Sequence, residues 1–390
     1  MITVGFTLIG RGGWSGGETY QRNMFGVMAK ELAGKVQAKL FLSPDQHLKI
    51  GTSFDRFLSQ PVFVDARIAG AGTGKRALQA ALSGQDQVLA EAIAPHGIDV
   101  MFESAQWFGN RFPVPVVSWI PDFQHRYLPH HFDRRKWWHR DLGFRVQTSG
   151  HRRIMLSSED AKADCENFYP ASIDKIQVVK FAIDLDPNAV FSRVETARAK
   201  HQLPDRFFYL PNQFWSHKNH AVVVEALKLL QKSGVLVTTL PIILTGRTED
   251  ARDPKLYSRL MADVQASGVA SHFRHLGLIP YEDVFALNAA ADAVINPSKF
   301  EGWSTSVEEA KALGTPLILS NLRIHQEQAK SSLFFSPDDA KGLAAALQQL
   351  SQKSLRQAAN IPLLLEHQTA RRSDYARSLL ATFKAVMLRN

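Results

Sequence analysis

One pattern constrains the fold of this chain more than any other: a buried strand, a glycine loop and a helix, followed by the same strand and helix alternation for the rest of its length. Ile2 to Ile9 is a short apolar run with β-branched residues, Gly10, Gly12, Gly13, Gly16 and Gly17 follow it, and a helical pattern runs from about Glu18 to Leu32. Strand, glycine turn and helix in that order open a doubly wound α/β domain with a parallel sheet. Further strands are predicted at Gln37 to Leu42, Pro61 to Asp65, Asp99 to Glu103, Val114 to Ile120, Ile154 to Ser157 and Ile176 to Phe181.

The alternation restarts at Phe207 to Leu210, a strand, and Asn219 to Leu230, a helix with Val223, Leu227 and Leu230 on one face. Pro187 to Arg206 is polar, contains no strand pattern and reads as the linker. At 390 residues the chain is long enough for two cores of similar size. The predicted division is 1–185, 186–368 and a terminal helix in 369–390 that packs through Tyr375, Leu379, Phe383, Val386 and Met387.

Composition decides what the chain is not. No apolar run reaches the ~20 residues that span a bilayer, and the first residues lack a basic signal-peptide region; the expectation is a cytoplasmic protein. A single cysteine, Cys165, excludes an internal disulfide framework. The formal charge is +9. It is concentrated: Arg126 to Arg153 holds eight basic residues against Asp133 and Asp141, and Arg371 to Asn390 holds five against Asp374. The remainder is close to neutral, which argues against a nucleic-acid-binding polycation and for local contact with phosphates or an anionic membrane surface. Arg134-Arg135-Lys136-Trp137-Trp138-His139-Arg140, cations interleaved with tryptophans, is the segment suited to such a surface.

Two motifs mislead. Gly70-Ala71-Gly72-Thr73-Gly74-Lys75 resembles a phosphate-cradling loop, but Ala69 and Arg76 stand where that loop needs its first glycine and its metal-binding hydroxyl. Asp184-Leu185-Asp186 has metal-motif spacing without the context, and reads as a capped turn. No metal site is predicted.

The informative stretch is Asn296-Pro297-Ser298-Lys299-Phe300-Glu301-Gly302-Trp303-Ser304-Thr305-Ser306-Val307-Glu308-Glu309, running on to Gly314-Thr315-Pro316. A strand ends at Asn296, a loop carries Glu301, and small hydroxylated residues start a helix. Free amides of Ser304 to Ser306 would form an anion site suited to a pyrophosphate. Glu301 and Glu309 beside that site are electrostatically wrong for phosphate, and right for accepting hydrogen bonds from neutral hydroxyls.

This stretch resembles the E-x7-E signature of retaining GT-B glycosyltransferases of family GT4. Pro297-Ser298, Gly314 and Pro316 fall where the family has them; Trp303 and Ser304-Thr305-Ser306 replace the usual Phe and Gly-Leu-Pro. Tyr209 to Asn219 resembles the first loop of the family's donor domain, with Lys218 at the lysine and Asn212 or Gln213 in place of an arginine. Gly16-Gly17 resembles the acceptor-side glycine loop. The resemblance implies a two-Rossmann α/β fold, with residues 1–185 binding the acceptor, 186–368 the nucleotide sugar, and a terminal helix crossing back to the first domain. It implies Lys218 on the diphosphate, Glu301 on the sugar, Glu309 on the ribose, and the backbone of Leu278 and Ile279 on the nucleobase. Gly302 and Trp303 fall in the donor loop. Asp122 and His125, after the strand ending at Ile120, stand near the position of a family His-Asp pair; the histidine is displaced.

The implied activity is metal-independent, retaining transfer of a sugar from a nucleoside diphosphate sugar to a glycan or lipid-linked glycan at the inner face of the membrane, for cell-surface polysaccharide. An epimerase or hydrolase of the same fold, or a binding protein without catalysis, are the alternatives.

Overall fold

The structure is a computed structural model that describes residues 1–12, 15–50, 52–59, 62–69, 73–104, 106–353 and 358–388. Two compact units divide the chain: Met1–Asp184 with Thr369–Asn390, and Leu185–Gln368.

In the first unit, β1 (Ile2–Thr7), β2 (Val36–Leu42), β3 (Phe63–Val64), β4 (Val100–Ser104), β5 (Val116–Trp119), β6 (Arg153–Leu156) and β7 (Ile176–Val178) form a sheet in the order β3-β2-β1-β4-β5-β6-β7. All its pairings are parallel, as helical crossovers require. The opening glycines split between two environments. Gly10 has φ +69, a left-handed conformation that suits glycine, whereas Gly16 and Gly17 lie inside the first turn of the helix Ser15–Glu31. The predicted helix start at Glu18 therefore moves back, and the pair is helical rather than a loop. Gly13 lies outside the described residues, as do Gly70, Ala71 and Gly72 of the misleading glycine motif; its Thr73 begins the helix Thr73–Ser83.

The second unit contains β8 (Phe208–Leu210), β9 (Ile242–Leu244), β10 (Phe273–His275), β11 (Ala293–Asn296), β12 (Leu317–Ser320) and β13 (Leu333–Phe335), ordered β10-β9-β8-β11-β12-β13 and parallel throughout. Period-two alternation assigns side chains to two apolar layers. Phe208, Leu210, Ile242, Leu244, Ala293, Ile295 and Ile318 pack with the helices His220–Lys232 and Ala340–Gln352. Tyr209, Ile243, Val294, Leu317 and Leu319 pack with the helices Tyr281–Ala290 and Thr305–Leu313.

The stretch read as a linker is folded. Pro187–Ser192 and Val194–His201 are helices, with Val190, Val194 and Ala197 buried in the second of those layers. Apolar residues spaced by four and three had marked one helical face there, hidden by the polar majority. The terminal helix, Ile361–Met387, is longer than predicted. Tyr375, Leu379, Phe383 and Val386 are buried, but Met387 is 39% exposed. Arg372, counted among the basic residues of the tail, turns inward to Glu31 at 2.5 Å, and Asp184 is held by Lys30 at 2.7 Å. Asp186 caps the helix after it through the amide of Asn188. No described helix is long and apolar enough to cross a membrane.

Candidate active site

Strand order reverses between β8 and β11, and chains leaving such neighbours diverge and open a crevice at their carboxyl ends. Lys218 follows β8 and Glu301 follows β11. Their side chains meet across that point, Lys218 Nζ to Glu301 Oε1 at 2.7 Å, both largely buried. Asn219 fixes the approach. Its backbone is left-handed at φ 58, and its amide donates to the carbonyls of Pro297 and Pro337, fastening the lysine loop to the glutamate loop.

Glu301 is held from below as well. Asn296 Nδ2 donates to Glu301 Oε1 at 3.2 Å, and Ser298 Oγ lies 2.7 Å from the same oxygen. Burial alone would raise its pKa; Lys218, His325 and these hydrogen bonds outweigh burial and draw it down to about 2. His325 is fully buried on the next layer, its Nδ1 donating to the Ser320 carbonyl at 2.8 Å, while Ser320 Oγ donates to the Ser298 carbonyl at 2.6 Å.

The helix Thr305–Leu313 supplies the next part. Sequence reasoning expected the amides of Ser304, Thr305 and Ser306 to be free. The structure corrects the first: Ser304 N donates to Gln328 Oε1 at 3.0 Å, and Gln328 Nε2 returns to Ser304 O at 3.1 Å. The amides of Thr305 and Ser306 meet no acceptor among the described residues, so the helix start retains two donors with its positive dipole end. The serine hydroxyls face inward: Asn296 Nδ2 donates to Ser304 Oγ at 2.8 Å and lies 3.2 Å from Ser306 Oγ.

One turn on, Glu309 is 5% exposed and meets no cation among the described residues. Its neighbour Glu308 takes Lys311 at 2.8 Å. Burial pushes the Glu309 carboxyl up to about 7, against a single hydrogen bond from Tyr281 at 3.0 Å. The two carboxylates of one motif are thus shifted in opposite directions, Glu301 downward beside Lys218 and Glu309 upward by burial.

Asn212 is buried, with Nδ2 unpaired among the described residues, and Gln213 Oε1 accepts the amide of Arg247 at 2.7 Å. Gly246 approaches so close to Asn212 that a Cβ would stand 2.6 Å from the Asn212 carbonyl oxygen. Gly246 N also donates to Gly277 O, which joins this corner to Leu278 and Ile279. The amides of those two residues meet no acceptor among the described residues, and Leu278 is 66% exposed. Gly302 and Trp303 lie in the loop between Glu301 and the helix start.

The first unit treats its predicted residues differently. His125 is fully buried between Trp137 and Phe144, and Trp137 Nε1 donates to its carbonyl. Its Nε2 lies 3.1 Å from Tyr169 Oη, whose proton goes to Asp141 at 2.7 Å. Burial and Arg140 lower the imidazole pKa to about 4. This is a core histidine; its displacement from the family pair puts it under the surface. Asp122 accepts the Gln124 amide and pairs with Arg140 at 2.6 Å. Gly16 and Gly17 stay within the helix start after β1.

Sequence reasoning missed Asn296, Ser298 and Gln328 as supports, and Tyr281 as the partner of Glu309. The first two sit within the motif; Gln328 and Tyr281 lie on other helices and only tertiary contact reveals them.

Two parallel doubly wound sheets of seven and six strands place this chain in the GT-B class of folds. Residues 193–361 match the sequence profile described as "Glycosyl transferases group 1". The O-antigen chain mannosyltransferase RfbU of Salmonella typhimurium is 22% identical over 234 residues, covering 60% of this chain and 60% of that relative's length. A glycosyltransferase of Rickettsia africae superposes with a TM-score of 0.68 at 16% identity, over 100% of this chain and 99% of that one. HepE of Anabaena, solved with UDP and glucose, gives 0.64 at 14% identity, over 100% and 98%. At these identities the superpositions establish the fold.

Proposed function

We propose that the chain is a retaining glycosyltransferase that moves a sugar from a nucleoside diphosphate sugar to a glycan or lipid-linked glycan acceptor in cell-surface polysaccharide synthesis. The observation that carries the reading is Lys218 against Glu301 at 2.7 Å across the strand reversal, beside a helix start with two unengaged amides. The match of residues 193–361 to the glycosyl transferases group 1 profile and the mannosyl transfer named for RfbU support it.

In this reading the diphosphate takes Lys218 and the amides of Thr305 and Ser306, with Asn212 standing in for the family arginine as a neutral donor. Glu301, released from the lysine, accepts a sugar hydroxyl, and Glu309 accepts from the ribose. The acceptor hydroxyl attacks the anomeric carbon on the face the diphosphate leaves. The bond from carbon to phosphate oxygen breaks, the new glycosidic bond forms, and the acceptor proton passes to the departing phosphate oxygen. Lys218 and the helix amides stabilise the charge that develops on that oxygen. Asp184 and Asp186 are occupied by Lys30 and a helix cap, so the reaction is read as independent of metal.

Lys218→Ala should cut transfer at least tenfold in a protein that still unfolds cooperatively, and EDTA should leave wild-type transfer intact. Wild-type turnover in the variant would overturn the site, and EDTA inhibition reversed by magnesium or manganese would overturn metal independence. Donor consumption with no acceptor present would favour the epimerase or hydrolase reading.

A specific feature of the first unit favours a membrane-side acceptor. On the helix Arg134–Ser149, Trp138 and Leu142 are 59% and 60% exposed one turn apart, and Arg134, Arg135, His139 and Arg145 are exposed around them. We read this face as the contact for an anionic bilayer.

A further inference from the structure

A buried carboxylate without a cation needs something to hold its rotamer and part of its charge. Among the described residues one donor reaches it, the hydroxyl of Tyr281, at 3.0 Å from Oε1. Oε2 meets no donor among the described residues. Tyr281 is the first residue of the helix Tyr281–Ala290, directly after the loop whose Leu278 and Ile279 amides are unengaged. Its ring lies 4.5 Å from that of Phe285, one turn along the same helix, which orients the phenol. The side chain is more exposed than the carboxylate, 37% against 5% for Glu309. It therefore joins the nucleobase-side loop to the buried acid and stands on the outer side of it.

We propose that Tyr281 is a ribose-positioning residue: its hydroxyl occupies Oε1 of Glu309, so that Oε2 alone is presented to the ribose of the nucleoside diphosphate. This rests on the donor-site reading above. The charged and titratable groups around Glu309 are otherwise engaged. Glu308 on its own helix takes Lys311 and Gln328. The Tyr209 phenol on β8 is bonded to Thr245 at 2.7 Å, and Asp283, on the helix of Tyr281, takes Lys200 and His201. Tyr281 is thus the group whose loss changes the ionisation of Glu309, and it does so in one direction: without the hydrogen bond the carboxyl stays protonated to higher pH.

The test is calorimetric titration of the full-length protein with UDP and with GDP from pH 6 to pH 8.5, on wild type, Tyr281→Phe and Glu309→Gln, using whichever nucleotide wild type binds. Phenylalanine keeps the contact with Phe285, so folding is preserved. For Tyr281→Phe we expect affinity to fall about tenfold at pH 7, the loss of one hydrogen bond to a charged group, with the midpoint of the pH dependence displaced upward and affinity largely recovered at pH 8.5. Glu309→Gln should weaken binding at pH 8.5 and remove the pH dependence. If Tyr281→Phe keeps the wild-type affinity and midpoint while Glu309→Gln weakens binding, the positioning role is overturned and the ribose reading stands. If Glu309→Gln binds like wild type at every pH, the ribose reading itself fails and takes the proposal with it.

Discussion

Each unit buries a cluster of charged and polar side chains, and the two clusters close their hydrogen bonds differently. In the first unit Asp141 is fully buried and takes Arg126, Arg145 at 2.8 Å and the Tyr169 hydroxyl, with His125 behind the tyrosine. Both carboxylate oxygens are occupied, one of them twice. In the second unit Glu301 is held from three sides, yet its lysine is a group a phosphate can claim. Among the described residues, Glu309 has one oxygen without a donor, and the amides of Thr305 and Ser306 meet no acceptor. A buried carboxylate with both oxygens taken by its own protein fixes a fold; one with an oxygen to spare can bind.

The largest effect that would break this contrast is on stability. Asp141→Ala strands Arg126 and the Tyr169 hydroxyl in an apolar setting, and removing one partner of a buried ion pair costs about 3 kcal/mol. For a unit of this size that corresponds to a fall on the order of 10 °C in Tm. Nucleotide affinity of the folded fraction should not change. A variant with unchanged Tm and lost nucleotide binding would reverse the two assignments.

The next effect separates the two glutamates by pH. Glu301 has a folded pKa near 2, below its ordinary 4.5, so the stability it contributes is present above pH 4.5 and is lost as pH falls toward 2. Glu309 has the opposite sign. Its folded pKa of about 7 lies above 4.5, so the folded state binds the proton more tightly, and stability declines as pH rises from 4.5 to 7. Glu309→Gln should therefore be more stable than wild type at pH 8, by about 3 kcal/mol, and indistinguishable from it at pH 4. A Tm difference of the same size at both pH values would show that the effect is packing and that Glu309 ionises normally.

The contrast also explains what was legible in the sequence. Strand and helix alternation gave both sheets, because parallel strands buried on two faces are short apolar runs between helices. The strand, loop and helix start of the candidate site were legible because Asn296 to Glu309 is contiguous, so local spacing carries its geometry. The helices Pro187–Ser192 and Val194–His201 were not, since three buried residues among charges weigh little in a composition reading. His125 was misplaced because sequence position after β5 does not say whether a ring lies above or below the surface; Phe144, Trp137 and Tyr169, distant in the chain, decide that. Gln328 closed the Ser304 amide from another helix, a contact no local pattern announces.

The smallest predicted effect concerns the helix that carries Asp141 on its inner side. Trp138 and Leu142 lie on its outer side, where burial contributes little, so Trp138→Ser with Leu142→Ser should change stability by no more than about 0.5 kcal/mol. If that face meets an anionic bilayer, the same pair should reduce co-flotation with phosphatidylglycerol vesicles several-fold and leave phosphatidylcholine vesicles, which carry no net charge to attract the arginines, as weak a partner as before. Transfer to a water-soluble acceptor should be unaffected. The double variant therefore sets the two sides of one helix against each other, with Asp141 reporting in Tm and Trp138 in vesicle binding. Unchanged flotation would leave the first unit with a structural cluster and no membrane face, and the excess of arginine on that helix would then have to be explained by a soluble, phosphate-bearing acceptor.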